Sequence, residues 1–130
     1  MIIGATAFPV HGYARATLDI DLFFRPERAN AERLLDALKD FGYDVTDVNV
    51  DDILNKKILI RQYAVEADFH PFVKGVTFDE VWERKVEERI GETRAFFASL
   101  DDLISMKRSA GRVKDLEDLK FLVKLKEGKK

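Results

Sequence analysis

From residue 17 to residue 24 every second position is large and apolar: Leu18, Ile20, Leu22 and Phe24. Alternation of this kind predicts a β-strand buried on one face. Residues two apart leave a strand on the same side, so the carboxylates of Asp19 and Asp21 project together. Arg25-Pro26-Glu27 ends the strand. Over 29–41 the apolar positions Leu34, Leu35, Leu38 and Phe41 fall at helical spacing, and Gly42 suits a C-terminal cap.

The remaining chain reads as short elements of both kinds. Residues 1–4 are expected as a strand. Residues 5–12 are expected as a short helix ending near Gly12, with Pro9 in its first turns. Residues 43–48 are expected as a strand and 51–54 as a helical turn, followed by strands over 57–62 and 64–69. Thr77-Phe78-Asp79-Glu80 has the form of a capping box, with Trp82 on the buried side of the helix it opens. Val86–Ile90 and Thr93–Phe97 flank Gly91-Glu92 as a hairpin. Ser99 with Asp102 opens a helix that Gly111 ends, and 113–125 forms the last. The pattern predicts an α+β fold: a mixed sheet flanked by helices, with residues 1–98 as the core and 99–130 as C-terminal helices packed on it.

Composition narrows the function classes. The 130 residues are 46% hydrophobic and 35% charged, which suits one folded domain. No apolar stretch approaches the length of a membrane helix, and the first residues lack the form of a signal peptide. With no cysteine there are no disulfides, thiolate metal sites or cysteine nucleophiles, and a cytoplasmic setting fits. Net charge is −2, unevenly spread: residues 101–130 hold nine Lys or Arg against six Asp or Glu. A basic C-terminal segment beside an acidic pair suits a nucleoside triphosphate with its divalent ions. No dominant basic face or aromatic stacking motif points to a plain nucleic-acid-binding domain.

Two carboxylates held that close repel, and a divalent metal is the usual compensation. Mg²⁺ favours carboxylate oxygens together with substrate phosphates. A solvated polar strand face is the other reading of Asp-x-Asp, and the residues alone leave both open. The stretch Gly4-Ala5, thirteen residues, then Asp19-Ile20-Asp21 resembles the nucleotidyltransferase superfamily that includes DNA polymerase β. His11 to Thr17, Ser99 to Arg108 and Gly111 to Leu119 resemble its AbiEii-type branch, which includes toxins of type IV toxin–antitoxin systems.

The resemblance implies a metal-dependent transfer of a nucleoside monophosphate from an NTP to a hydroxyl of RNA or protein, with Mg²⁺ or Mn²⁺. An antitoxin partner and a homodimer are further expectations. Asp19 and Asp21 would hold the metals, and a third carboxylate is expected from a neighbouring strand. Asp68 fits best, with Glu66 as fallback. Val65, Ala67 and Phe69 would face the core, and Glu66, Asp68 and His70 the other side. Gly4 would let the backbone approach the triphosphate, with N–H donors at Ala5 and Thr6. Ala5 stands where the family pattern has Gly or Ser, so Thr6 is the available hydroxyl.

Arg15 and Thr17 flank the approach to the metal strand, Arg15 as a bidentate phosphate donor. Lys107 would neutralise the β- or γ-phosphate. Arg112 and Lys114 are further phosphate candidates, and Asp115 would orient Lys107 or cap the last helix. His11 and His70 are expected to be structural and do not form a zinc motif. Relatives usually carry a helix before the first strand, so an uncovered first strand is expected. The competing class is a degenerate module of the same fold that binds nucleotide or a partner protein without turnover. It is favoured by Ala5 and opposed by the three aspartates.

Overall fold

Six strands build one sheet: β1 (Ile2–Ile3), β2 (Asp19–Phe23), β3 (Ile58–Ile60), β4 (Glu66–His70), β5 (Val86–Ile90) and β6 (Thr93–Phe97). Their order across the sheet is β3-β4-β2-β1-β6-β5. The computed structural model describes residues 1–15, 17, 19–61 and 66–128. Ala16 and Leu18 near the first acidic strand, Gln62, Ala64 and Val65 of the expected strand pair, and Lys129 and Lys130 lie outside the described residues. The helices are α1 (Arg28–Phe41), α2 (Val50–Asn55), α3 (Phe78–Glu83), α4 (Leu100–Ala110) and α5 (Val113–Gly128). A 3-10 segment, Gly4–His11, joins β1 to the loop before β2. The architecture is the α+β arrangement that the pattern and the resemblance lead one to expect.

Pairing at the centre of the sheet is mixed. Strand β2 runs parallel to β4 and antiparallel to β1, and β1 is parallel to β6. The two outer pairs, β3 with β4 and β5 with β6, are antiparallel. Strand β1 is therefore interior, and Ile2 and Ile3 are buried, so the uncovered first strand is not found.

Two apolar clusters lie against the sheet. One gathers Ile2, Ile3, Phe8, Phe23, Phe97, Leu103 and Leu122; the other Phe24, Ala31, Leu38, Ile53, Ile60, Ala67 and Phe69. Phe23 and Phe24 enter different clusters, as the strand period of two requires. The face carrying the acids is thus polar at Asp19 and Asp21 and becomes core at Phe23.

Local chemistry sets most boundaries. Gly42 ends α1 at φ 106°, and its N–H reaches the carbonyls of Leu38 and Lys39. Ser99 accepts the Asp102 N–H at the start of α4, and Thr77 accepts that of Glu80 at the start of α3.

Several expectations are refined. Residues 43–48 are not a strand. The Asp44 carboxylate accepts both the N–H and the hydroxyl of Thr46, a local turn that replaces ladder pairing. The expected short helix is a 3-10 segment that begins at Gly4 rather than residue 5, with Pro9 as its sixth residue, at the end of the second turn. Phe41 is exposed at the end of α1 and stacks on Tyr43 with centroids 5.0 Å apart. Trp82 is half-buried. Val81 fills the core, while the indole lies against Phe78 and Phe96 under the Lys85 ammonium.

Candidate active site

Parallel pairing of β2 with β4 sets the acids rung by rung: Asp19 opposite Glu66, Asp21 opposite Asp68 and Phe23 opposite His70. Ala67 and Phe69 point into the core, so Asp68 leaves the opposite face, the one from which Asp21 projects. His70 reaches back one step along that face. Its Nε2 lies 2.9 Å from Asp21 Oδ1. One ligand atom from each of Asp21, Asp68 and His70 lies within 4.8 Å of the others. Asp19 sits one rung away, beside Glu66. Hydrogen bonding to Asp19, followed by burial, holds the Glu66 carboxyl above its ordinary value.

Gly4 makes this arrangement possible from the other side. Its φ is +66°, and a Cβ built there would stand 2.6 Å from Asp21 Oδ2. Only a residue without a side chain lets the backbone of the 3-10 segment close on the carboxylate.

Cations surround the acids. Arg61 Nη1 lies 2.6 Å from Asp68 Oδ1, its Nε lies 3.3 Å from Glu66 Oε2, and Lys57 Nζ lies 3.9 Å from Asp68 Oδ2. Burial alone pushes the Asp21 carboxyl up. The hydrogen bond and charge of His70, with Lys57 and Lys107, more than offset it, and the group lies below the ordinary aspartate value. A cleft of about 290 Å³ opens beside Asp21 and His70, lined also by Gly4, Lys57, Lys74, Lys107 and Arg112. Its lining thus combines Asp21 and His70 with four cationic side chains. Residues 1–123, the span that supplies every one of these groups, match the family described as a nucleotidyltransferase of unknown function (DUF6036).

The chain belongs to that family. The match reaches the nucleotidyltransferase superfamily but not the AbiEii-type branch. No curated protein and no solved structure matches the chain. Nucleotidyltransferases generally use a divalent metal and an NTP. Two carboxylates and an imidazole that converge within 4.8 Å are a donor set suited to such an ion.

In this member of the DUF6036 family Lys107 and Arg112 are braced by buried carboxylates. Lys107 Nζ stands 3.1 Å from Asp115 Oδ1 and 3.4 Å from Asp118 Oδ2. Asp115 is fully buried, and Arg112 Nε lies 2.6 Å from its other oxygen. Burial pushes Asp115 up, but the hydrogen bonds from Arg112 and Lys107 prevail and bring its pKa to about 2. Asp115 therefore holds both cations, and it also accepts the Arg112 N–H at the start of α5.

The other candidates fall in different places. Arg15 pairs with the buried Asp118 at 3.1 Å, and its guanidinium braces α5. The Thr6 hydroxyl donates to the Asp19 carbonyl at 3.1 Å, tying the 3-10 segment to β2. Thr17 makes a similar contact to the same carbonyl. Ala5 is buried, and Lys114 is exposed outside the lining of the cleft. His11 is structural: its Nε2 lies 2.9 Å from the Ala98 carbonyl.

Residue-by-residue reading undervalued three groups. His70 was signalled by Asp-x-His, which puts both side chains on one face of β4. Lys57 and Arg61 flank the neighbouring strand β3, and only the register brings them to Asp68.

Proposed function

We propose that the chain transfers a nucleoside monophosphate from an NTP to a hydroxyl of RNA or protein. The observation that carries this reading is the shared rung of Asp21 and Asp68, with Asp21 lining a cleft that also holds Lys57, Lys74, Lys107 and Arg112. The triphosphate lies along Lys107 and Arg112, with Lys57 and Lys74 at the mouth. Gly4 lets it approach the backbone at the start of the 3-10 segment. Asp19, Asp21 and Asp68 are the metal-holding carboxylates. Those carboxylates would hold divalent ions, which would stabilise the negative charge on the attacking and departing oxygens.

The acceptor oxygen bonds to the α-phosphorus, the bond from that phosphorus to the bridging oxygen breaks, and pyrophosphate leaves. Asp68 takes the acceptor's proton. Most of the rate then comes from positioning and charge neutralisation. The runs 99–108 and 111–119, with their AbiEii-type resemblance, support a toxin role for such a transfer, countered by an antitoxin.

Calorimetric titration of each NTP with Mg²⁺, on the wild type and on Asp19→Asn/Asp21→Asn, tests the reading. Metal-dependent binding that the double variant loses supports it. A folded wild type that binds no NTP refutes it. Binding without pyrophosphate release for any acceptor instead makes the fold a nucleotide-binding module, a reading favoured by the engagement of Asp68 with Arg61 and of Thr6 with Asp19.

A further inference from the structure

We infer that His70 is itself a metal ligand, so that this site selects a first-row transition ion over Mg²⁺. The inference rests on the divalent-ion part of the reading above and goes beyond it in naming an imidazole donor and the selectivity that follows.

The argument starts from which atom points where. His70 Nε2 is 2.9 Å from Asp21 Oδ1, and a ring nitrogen of His70 lies within 4.8 Å of a carboxylate oxygen of Asp68 as well. A histidine that only oriented Asp21 from behind would stand on the side of that carboxylate away from Asp68. Here one ring nitrogen lies within 4.8 Å of an oxygen of each carboxylate. Donors adjacent on one octahedral ion, with bonds of about 2.1 Å, are roughly 3 Å apart, and opposite donors are about 4.2 Å apart. The separation of His70 from Asp21 is thus that of neighbouring ligands on one centre. The side chain is 17% exposed, against 7% for Asp68, so the donors are half-shielded from water and one side stays open to the cleft.

Charge and donor chemistry agree. Two carboxylates neutralise one divalent ion, and the neutral imidazole adds a bond without adding repulsion toward a polyanionic triphosphate. Mg²⁺ takes oxygen donors and keeps its water. Imidazole nitrogen favours the first-row transition ions. Replacing one oxygen donor by nitrogen therefore shifts the ratio of affinities rather than merely their level.

The test uses the full chain, freed of metal, with MnCl₂ and MgCl₂ as probes. Affinities come from calorimetry, and the nature of the ligand comes from electron spin-echo modulation of bound Mn²⁺. The wild type is expected to bind Mn²⁺ at least about tenfold more tightly than Mg²⁺ and to show nitrogen modulation. His70→Ala and His70→Asn are expected to lose the modulation and most of that preference, with Mg²⁺ affinity changed no more than about twofold. Asparagine keeps a hydrogen bond to Asp21, so it separates ligation from orientation and guards against a folding defect in the alanine variant. Bound Mn²⁺ without nitrogen modulation, an unchanged preference in both variants, or no divalent binding by the folded wild type overturns the inference. A parallel NTP titration keeps the two readings apart. Nitrogen-ligated Mn²⁺ with no triphosphate binding refutes the transferase and leaves the metal site standing.

Discussion

Gly4→Ala isolates the close approach on which the site depends. The substitution has two costs that can be separated. The first is backbone strain: at φ +66° an alanine is in the left-handed region, which costs about 1–2 kcal/mol. The second is contact. The new Cβ stands 2.6 Å from Asp21 Oδ2 and 3.3 Å from Asp21 Cβ. A carboxylate end can rotate away, but doing so gives up the 2.9 Å hydrogen bond to His70, worth about another 1–2 kcal/mol. Gly12→Ala is the control. It caps the other end of the same 3-10 segment at φ +100°, and its Cβ would meet only Leu125 Cδ2 at 3.8 Å, an ordinary contact.

Thermal melts should show Gly12→Ala lower by roughly 3–10 °C and Gly4→Ala by about twice that. Calorimetry with Mn²⁺ should find the affinity of Gly12→Ala unchanged and that of Gly4→Ala reduced at least about tenfold, because a donor has been turned out of the group. Wild-type Mn²⁺ affinity in Gly4→Ala, or an equal loss in Gly12→Ala, would refute the reasoning.

Other consequences are open to direct measurement. Asp115, with its folded pKa brought down to about 2, contributes stability that is present above the unfolded value of 3.8 and lost as pH falls through 2. Urea unfolding of the wild type and Asp115→Asn should therefore converge by about 2 kcal/mol between pH 5 and pH 2, and a constant difference would exclude the linkage. Arg61→Ala removes the cation that competes for Asp68. Mn²⁺ affinity should rise about two- to fivefold, and a fall would make Arg61 a supporter of the site rather than a competitor. Leu122→Ala hollows out the fully buried centre of α5 and should cost about 2–5 kcal/mol in chemical denaturation, with a smaller loss showing that the helix can collapse into the space.

The sequence made local features legible and left non-local ones hidden. The hairpin at Gly91-Glu92, the caps at Gly42, Ser99 and Thr77, and the acidic strand β2 are all written in a few adjacent residues, and the structure has them. The segment 43–48 misled because its β-prone residues, Tyr43, Val45, Thr46 and Val48, compete with an aspartate side chain that satisfies the backbone two residues on. At the site, Asp68 and His70 share a face by period alone, but nothing local shows that His70 meets Asp21. That contact, between residues 49 apart in the chain, follows from the parallel pairing of β2 with β4. The ion pair of Arg15 with Asp118 is equally hidden in the sequence, because Asp118 lies in the last helix and is brought near only by folding.

The ladder between β2 and β4 has an evolutionary corollary. Losing a single residue from β4 ahead of Asp68 would turn that carboxylate to the far side of the sheet, so the acidic pair tolerates almost no change in strand length. The cations come from elsewhere: Lys57 before β3, Lys74 after β4, Lys107 near the end of α4 and Arg112 between α4 and α5. Connections and helix ends of that sort accept insertion and exchange without disturbing the strands. The spacing of the acidic pair and the placement of the cations are thus set by separate parts of the chain, so a change in the length of a connection can move a cation without moving the carboxylates.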